Sequence, residues 1–190
     1  MNPVIDQLYA RKSVRAYEDR PVPEEVKRAV LEAAFQAPTA GNQMLYTVID
    51  VQDEKIKARL ADLCDHQPFI ARAPVALIFL ADCRRWLDAY RLAGCAPRRP
   101  GPGDLLLAVA DAAIAAQNAV VAAHSLGLGS CYIGDVLENC AQMRDLLGLP
   151  KEVVPAAMLV MGYPTPQQAA RKKPPRFDGR YIVRENRYAP

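Results

Sequence analysis

The segment VALIFLA, residues 75–81, is a run of seven consecutive apolar residues. Because no polar residue alternates with them, both faces of this strand-length run are expected to be buried, as in the central strand of a sheet. A second strand-length run, LYTVIDV at 45–51, precedes it, and residues 54–65 between the two have a helical pattern. Two further runs of strand type, SCYIG at 130–134 and VVPAAMLVMGYP at 153–164, complete a small set of predicted strands.

Helical patterns surround these strands along the chain. Amphipathic helices are predicted over 3–10 and from residue 24 to shortly before Pro38. A longer helix is predicted from Asp104 to about Leu126; it is apolar nearly all round, so we expect it in the centre of the molecule or against a partner. The order of elements favours an α+β or a three-layer α/β architecture, and the scarcity of βα alternation argues against a doubly wound sheet.

Two less regular segments complete the chain. The segment VLENCAQMRDLLGLP (136–150) is predicted to form a further helix. Residues 84–103, which are rich in glycine and proline in their second half, are predicted to be an irregular surface excursion of the kind that often covers a site. The basic tail after residue 164 has too few apolar residues to fold alone, so it is expected to lie along this chain or along a second one.

The composition is that of an ordinary globular protein. Of 190 residues, 51% are hydrophobic and 24% are charged, and the length fits a single domain over 1–190. The net charge of +3 conceals an asymmetry, because residues 165–190 carry seven basic and two acidic residues, leaving 17 basic against 19 acidic residues elsewhere. Clustered cations are also a footprint of nucleic-acid binding, but the slightly acidic remainder and the lack of interleaved aromatic residues argue against such a partner.

Other classes of protein are disfavoured by what the chain contains. The N-terminal residues include Asp6 and no apolar stretch, and the most apolar region is interrupted by Asp111, Gln117 and Asn118. We therefore expect no signal peptide, no membrane-spanning helix and a cytoplasmic location. The five cysteines form no CxxC pair and are expected to be buried thiols, and neither a GxGxxG fingerprint nor a P-loop is present.

Four short segments carry groups suited to a ligand. In RKSVR, Arg11, Lys12, Ser13 and Arg15 offer guanidinium forks, an ammonium group and a hydroxyl that match phosphate oxygens, although cations at the end of a helix are commonly just solvated. The turn APTAGNQ (37–43) and the segment LGLGSCYIG (126–134) contain small residues that allow close backbone approach, and the amide of Gln67 can meet a ring with both donors and acceptors. Each segment alone has an ordinary structural explanation.

Taken together and in this order, the four segments resemble the motifs of the nitroreductase family of FMN-dependent oxidoreductases, and the similarity covers nearly the whole chain from Arg11 onward. The resemblance implies a three-layer α/β/α fold with a mixed central sheet flanked by helices and an extended C-terminal arm. It also implies an intimate homodimer with FMN at the subunit interface.

The resemblance assigns roles to individual residues. Arg11 and Ser13 would hold phosphate and ribityl oxygens, with Lys12 beside them, and Arg15 would face the N1 and C2 carbonyl edge of the flavin, where a cation stabilises the charge that builds on reduction. Lys173 and Arg176 would close the phosphate site. The remaining cofactor-binding residues implied are Pro38, Thr39 and Ala40 from the second subunit, Gln67, and Tyr132, Ile133 and Gly134 along one face of the ring.

Two positions depart from the family pattern. A second proline separates Lys173 from Arg176, which shifts the arginine or transfers its role to Arg171, and Asp135 follows Gly134 where a second glycine is common. The implied activity is ping-pong transfer of hydride from NAD(P)H, through the flavin, to a small-molecule acceptor such as a nitroaromatic compound or a quinone. A flavin-binding sensor with little turnover is the alternative.

Several questions stay open at the level of the sequence. Trp86 and Tyr90 are either stacking surfaces for an acceptor or packing aromatics. The arginines of the 84–103 segment either favour a 2′-phosphate of the nicotinamide nucleotide or are solvated. No side chain is expected to act as a nucleophile, no metal site is expected, and His66 and His124 are expected to be structural.

Overall fold

A computed structural model of the chain describes residues 2–188. The helices and strands it contains occur in the following order: α1 (Pro3–Ala10), α2 (Glu24–Ala34), β1 (Tyr46–Asp50), α3 (Glu54–Leu63), α4 (Pro68–Arg72), β2 (Val75–Asp82), α5 (Arg84–Leu92), α6 (Pro102–Ser125), β3 (Gly129–Ile133), α7 (Asp135–Glu138), α8 (Cys140–Leu147), β4 (Val153–Gly162) and α9 (Pro166–Ala170). Short 3₁₀ turns lie at Ala40–Asn42 and Gly179–Tyr181.

The four strands form one sheet in the order β1-β2-β4-β3, and each of the three pairings is antiparallel. The expected mixed sheet is therefore wrong for the described residues. Strands β1 and β4 run in one direction and β2 and β3 run in the other, and within the described residues parallel pairing occurs at an isolated bridge between Ser13 and Ser130. The α+β class itself is confirmed.

Strand β2 lies in the middle of the molecule with both faces buried, as its uniformly apolar sequence predicts. Alternate side chains point to opposite faces of a strand, so Val75, Leu77 and Phe79 pack in the layer that contains α2 and α6. The intervening Ile78 and Leu80 pack in the layer that contains α3, α4, α7 and α8. Helices on both faces of the sheet give the three-layer α/β/α arrangement.

Helix α6 is long and apolar enough to cross a membrane by length and composition, but here it is the core helix of the three-layer fold. Its inner face packs on the sheet through small side chains, and eight of its residues are buried. Its outer face is not covered by this chain: Leu105, Leu106, Leu107 and Ile114 are exposed. The inner face of α6 is thus buried as expected, whereas its outer face remains exposed and available to a partner.

Two further expectations are corrected by the structure. Residues 84–103 are not irregular throughout, because Arg84–Leu92 forms helix α5, with Trp86 and Tyr90 packed together at 5.7 Å between ring centroids. The density of glycine and proline in the second half concealed the i, i+4 spacing of these aromatic residues. The single helix expected over 136–150 ends at Leu147 and is divided in two at Asn139, whose side-chain amide donates to the carbonyl of Leu63 at 2.8 Å.

The cysteines match their prediction in part. Cys64 and Cys131 are buried, Cys83 and Cys140 are half-buried, and Cys95 is exposed. All five are free thiols. Beyond α9 the chain is extended and mostly exposed up to residue 188, as an arm, and it presents the apolar side chains of Phe177, Tyr181, Ile182, Val183 and Tyr188.

Candidate functional site: a cationic cluster at the end of the sheet

The segment after α1 is attached to the edge strand β3. The backbone N–H of Val14 donates to the carbonyl of Ser130 at 2.9 Å. The approach is close, since a Cβ added at Gly129 would lie 2.5 Å from Val14 Cγ2. The hydroxyl of Tyr17 donates to the carbonyls of Val14 (2.8 Å) and Val160 (3.2 Å), which holds the segment from its other end. The close contact at Gly129 and the hydrogen bonds of Tyr17 therefore determine the position of RKSVR.

The side chains of this segment collect around Cys131, whose thiol is buried in β3. Burial raises the pKa of the Cys131 thiol, and the Arg15 guanidinium and Ser13, both within hydrogen-bonding reach of its sulfur, oppose that increase together with Arg11. The Nε of Arg11 is buried and has no hydrogen-bond partner. Ser13, a predicted phosphate ligand, and Arg15, predicted to face the flavin edge, thus both act on the Cys131 thiol, and Arg11 has an unsatisfied donor.

The cations that follow α9 meet RKSVR through backbone carbonyls. The Lys12 ammonium donates to Ala169 O at 2.6 Å and to Arg171 O, and the Arg171 guanidinium donates to Ser13 O. Lys173 donates to the carbonyls of Leu8 and Tyr9 at 2.9 and 2.8 Å, where it caps the C-terminal end of α1.

These contacts distinguish the tail cations. Arg171 and Lys173 fasten the start of the arm to the N-terminal segment, whereas Arg176 makes only a 3.5 Å contact with the carbonyl of Pro174. The sequence places Lys12, Lys173 and Arg176 in one phosphate-binding group, but the described contacts give Lys12 and Lys173 carbonyl partners. Their assignment as phosphate ligands stays a prediction.

The cluster has no compensating negative charge. None of the ion pairs formed within residues 2–188 includes Arg11, Lys12, Arg15, Arg171, Lys173 or Arg176. Burial, followed by repulsion from Arg11, Lys12 and Lys173, lowers the pKa of His124. Burial, followed by repulsion from Arg176 and Arg11, lowers the pKa of Lys173. Guanidinium and ammonium groups without carboxylates have the chemistry that suits an anion with several oxygens, such as a phosphate.

The neighbouring end of β3 meets Gln67. The Gln67 amide donates to Cys64 O at 2.9 Å and to Asp135 Oδ2 at 3.4 Å, so the glutamine lies where β3 passes through Gly134 into α7. The two residues before Gln67, Asp65 and His66, have positive φ angles of 58° and 51°. Burial and the negative charge of Asp135 raise the pKa of Cys64 to about 12. The departure at Asp135 therefore places a carboxylate beside the predicted flavin-facing amide.

The turn at 37–43 lies elsewhere in the molecule. The hydroxyl of Thr39 and the N–H of Ala40 donate to the carboxylate of Asp111 on α6 (3.1 Å for the N–H). Asp111 and His124 are 13 residues apart on the same helix, which separates them by about 20 Å at 1.5 Å per residue. Within one chain, Pro38, Thr39 and Ala40 are therefore not brought to the cationic cluster.

Three arginines of the 84–103 segment are engaged with the protein itself. Arg84 pairs with Asp88 at 2.7 Å, and Arg85 donates to Met44 O at 3.1 Å. Arg98 forms a bidentate pair with Asp104. Trp86 donates to the carbonyl of Gln43 at 2.8 Å, which favours packing over stacking on a ligand.

The fold and the site define an α+β protein with a cationic cluster at one edge of an antiparallel sheet. The chain belongs to the nitroreductase family, whose family model matches residues 8–163. Its relatives include an FMN reductase [NAD(P)H] from Bacillus subtilis, 38% identical over 181 residues, which are 92% of this chain and 71% of that protein. An oxygen-insensitive NADPH nitroreductase from Salmonella typhimurium is 33% identical, over 100% of this chain and 76% of that protein.

Solved structures agree with this assignment. The NADPH:FMN oxidoreductase from Vibrio harveyi, complexed with NAD+, has a TM-score of 0.90 at 27% identity and covers 100% of this chain and 79% of that one. A hypothetical oxidoreductase from Bacillus subtilis has a TM-score of 0.92 at 38% identity, with 100% and 76% covered. The resemblance noted in the sequence is confirmed.

Sequence reasoning missed two features of the site. The carbonyl contacts of Lys12, Arg171 and Lys173 join residues about 160 positions apart, and no local sequence pattern predicts them. The sequence does contain a signal for Asp111, because it is a single carboxylate on an otherwise apolar helix face. By itself, however, this signal indicates only an interruption of the apolar run.

Proposed function

We propose that this chain is an FMN-dependent oxidoreductase that takes electrons from NAD(P)H and passes them to a small-molecule acceptor. The observation that carries the proposal is the cationic cluster, in which Arg11 Nε is buried without a partner beside Ser13 and Arg15, and no carboxylate balances the charge. The residues present fit the phosphate of FMN, since guanidinium forks and a hydroxyl match its oxygens. Its relatives include FMN reductases and NADPH nitroreductases.

Individual residues would hold the cofactor by their chemistry. Arg11 supplies a free donor to the phosphate, and Ser13 supplies a hydroxyl at the same place. Arg15 keeps a positive charge at the cluster, and such a charge favours the uptake of electrons by a bound group. Gln67 lies near the end of β3, and it would border the flavin together with the backbone of Tyr132, Ile133 and Gly134. FMN, when bound, supplies a two-electron relay between NAD(P)H and the acceptor, which this protein's side chains do not provide.

We propose further that the active unit is a homodimer of single-domain chains, in the cytoplasm, with the cofactor between subunits. Three features support the dimer: the exposed apolar outer face of α6, the exposed apolar residues of the arm, and the separation of about 20 Å along α6 between Asp111, which binds the 37–43 turn, and His124, on which the cations of the cluster act. A second subunit would bring the turn of one chain to the cluster of the other. Light scattering on the purified protein tests this by its mass.

The activity is tested with purified protein and FMN. Quenching of flavin fluorescence gives the affinity, and anaerobic addition of NADH or NADPH followed by a quinone should bleach and then restore the flavin absorbance. Parallel lines in initial-rate plots would support ping-pong turnover. Arg11→Ala should weaken FMN binding, whereas Lys172→Ala, which removes an exposed neighbouring cation, should not. Bound FMN that neither nucleotide reduces would favour the sensor, and no binding at all would refute the proposal.

A further inference from the structure

Helix α6 carries a buried carboxylate that anchors a single turn. Asp111 is only 3% exposed, and a buried carboxylate is tolerated only when donors satisfy it. Its three donors are the hydroxyl of Thr39, the N–H of Ala40 at 3.1 Å and the N–H of Leu45 at 3.2 Å. All three belong to the segment 39–45, so the carboxylate determines how that segment lies on α6.

The anchored turn has a left-handed backbone conformation that Gly41 and Asn42 adopt readily but Met44 does not. Gly41, Asn42 and Met44 have φ angles of 56°, 57° and 49°, in the left-handed region that side chains such as methionine rarely adopt. Thr39 Oγ1 donates to Asp111 and accepts from the N–H of Met44 at 2.8 Å, which links the carboxylate to the left-handed residue. Such a conformation persists only when its surroundings enforce it.

We propose that Asp111 is a positioning residue, which holds the 39–45 turn of one subunit in the shape that completes the FMN site of its partner. The inference rests on the proposed function, because the turn can serve an FMN site only in the homodimer. In its own chain the turn is bound to Asp111, which is about 20 Å along α6 from His124, the residue on which the cations of the cluster act. Asp111 itself touches neither cofactor nor substrate; it acts through Thr39 and Ala40.

The chain offers a matched control in Asp82. This carboxylate is also buried and also accepts from one threonine hydroxyl and two backbone N–H groups: Thr47 at 2.6 Å, Arg84 at 2.9 Å and Arg85 at 3.0 Å. In both residues one oxygen accepts two bonds and the other accepts one. The Asp82 carboxylate caps the start of α5 and accepts no bond from the turn, since Asp82 meets the turn only through its backbone N–H, which donates to Leu45 O at 3.0 Å. A change to asparagine therefore removes the same kind of side-chain bonds at a different place.

The first experiment compares the wild-type protein with Asp111→Asn and Asp82→Asn. Both variants are expected to lose similar thermal stability, and only Asp111→Asn is expected to weaken FMN binding, by roughly tenfold or more. Wild-type affinity in a folded Asp111→Asn protein would overturn the inference and leave the proposed function intact. If Asp111→Asn does not fold, thermal stability and FMN affinity are measured instead for Thr39→Val, with Thr47→Val as its control. The results are interpreted in the same way.

The second experiment asks which subunit the turn serves. Arg11→Ala and Asp111→Asn chains with different tags are co-expressed, and the mixed dimer is purified. If the turn acts on the partner, one site carries both defects and the other carries none, so the mixed dimer should bind one FMN with wild-type affinity. Absence of a wild-type site would overturn the inference. A wild-type protein that is monomeric or does not bind FMN would overturn the proposed function as well.

Discussion

Substitution of Gly129 by alanine should separate the RKSVR segment from the sheet. The new Cβ would lie 2.5 Å from Val14 Cγ2, 2.7 Å from Val14 Cβ and 2.8 Å from Val14 Cγ1. Carbon atoms in favourable contact are about 3.5–4.0 Å apart, so the RKSVR segment and strand β3 must separate by about 1 Å. Val14 is buried and has no room to move aside within the fold.

The expected loss of folding stability and of FMN affinity follows from that displacement. Overpacking of a core costs about 1–3 kcal/mol. A shift of about 1 Å also breaks the 2.9 Å bond from Val14 N to Ser130 O, which removes about 0.5–1.5 kcal/mol. A total of about 2–4 kcal/mol corresponds to a fall in Tm of roughly 5–15 °C for a chain of this size. FMN affinity should fall roughly tenfold to a hundredfold, because Arg11, Ser13 and Arg15 move with the segment.

The assay is thermal unfolding together with FMN titration for a double-mutant cycle. Val14→Ala removes two of the three close contacts, so the double variant should be less destabilised than the sum of the single variants, by at least about 1 kcal/mol. Gly103→Ala is the control, since its Cβ would meet nothing within 4 Å. Additive effects at positions 14 and 129, or a Gly129→Ala protein with wild-type stability and affinity, would refute the reasoning.

Three further outcomes are expected. Arg15→Ala should weaken FMN binding and make the bound flavin harder to reduce, measured as its redox potential; an unchanged potential would remove the assigned role. Lys173→Ala should release the start of the arm from α1, seen as faster proteolysis of the tail, whereas Lys172→Ala should leave cleavage unchanged; equal cleavage rates would contradict the carbonyl contacts. Arg98 lowers the pKa of Asp104 from its ordinary value of 3.8 to about 2, so this pair stabilises the fold above about pH 4 and the contribution is lost as the pH falls toward 2; Asp104→Asn should therefore flatten the acid limb of the stability curve over that range, and an unaltered limb would show that the pair contributes nothing.

Much of the fold could be predicted because its signals are local. A strand without polar alternation needs cover on both faces, and that requirement alone points to helices on each side of β2. Adjacent residues likewise predict the start of α1, where Asn2 is the cap and Pro3 lies in the first turn. The missed helix α5 shows the limit of this reasoning, because nearby prolines and glycines outweighed a short helical pattern.

The sequence by itself determined which residues are chemically able to hold a phosphate, and that one strand must be enclosed by helices. Both conclusions depend only on side-chain chemistry and on spacing within a few residues. Only the tertiary structure decided that the sheet is antiparallel, that Lys12 and Lys173 bind carbonyls, and that Asp111 holds the 39–45 turn. Those facts depend on the path of the chain between residues far apart in sequence, since a contact across about 160 positions leaves no periodic trace.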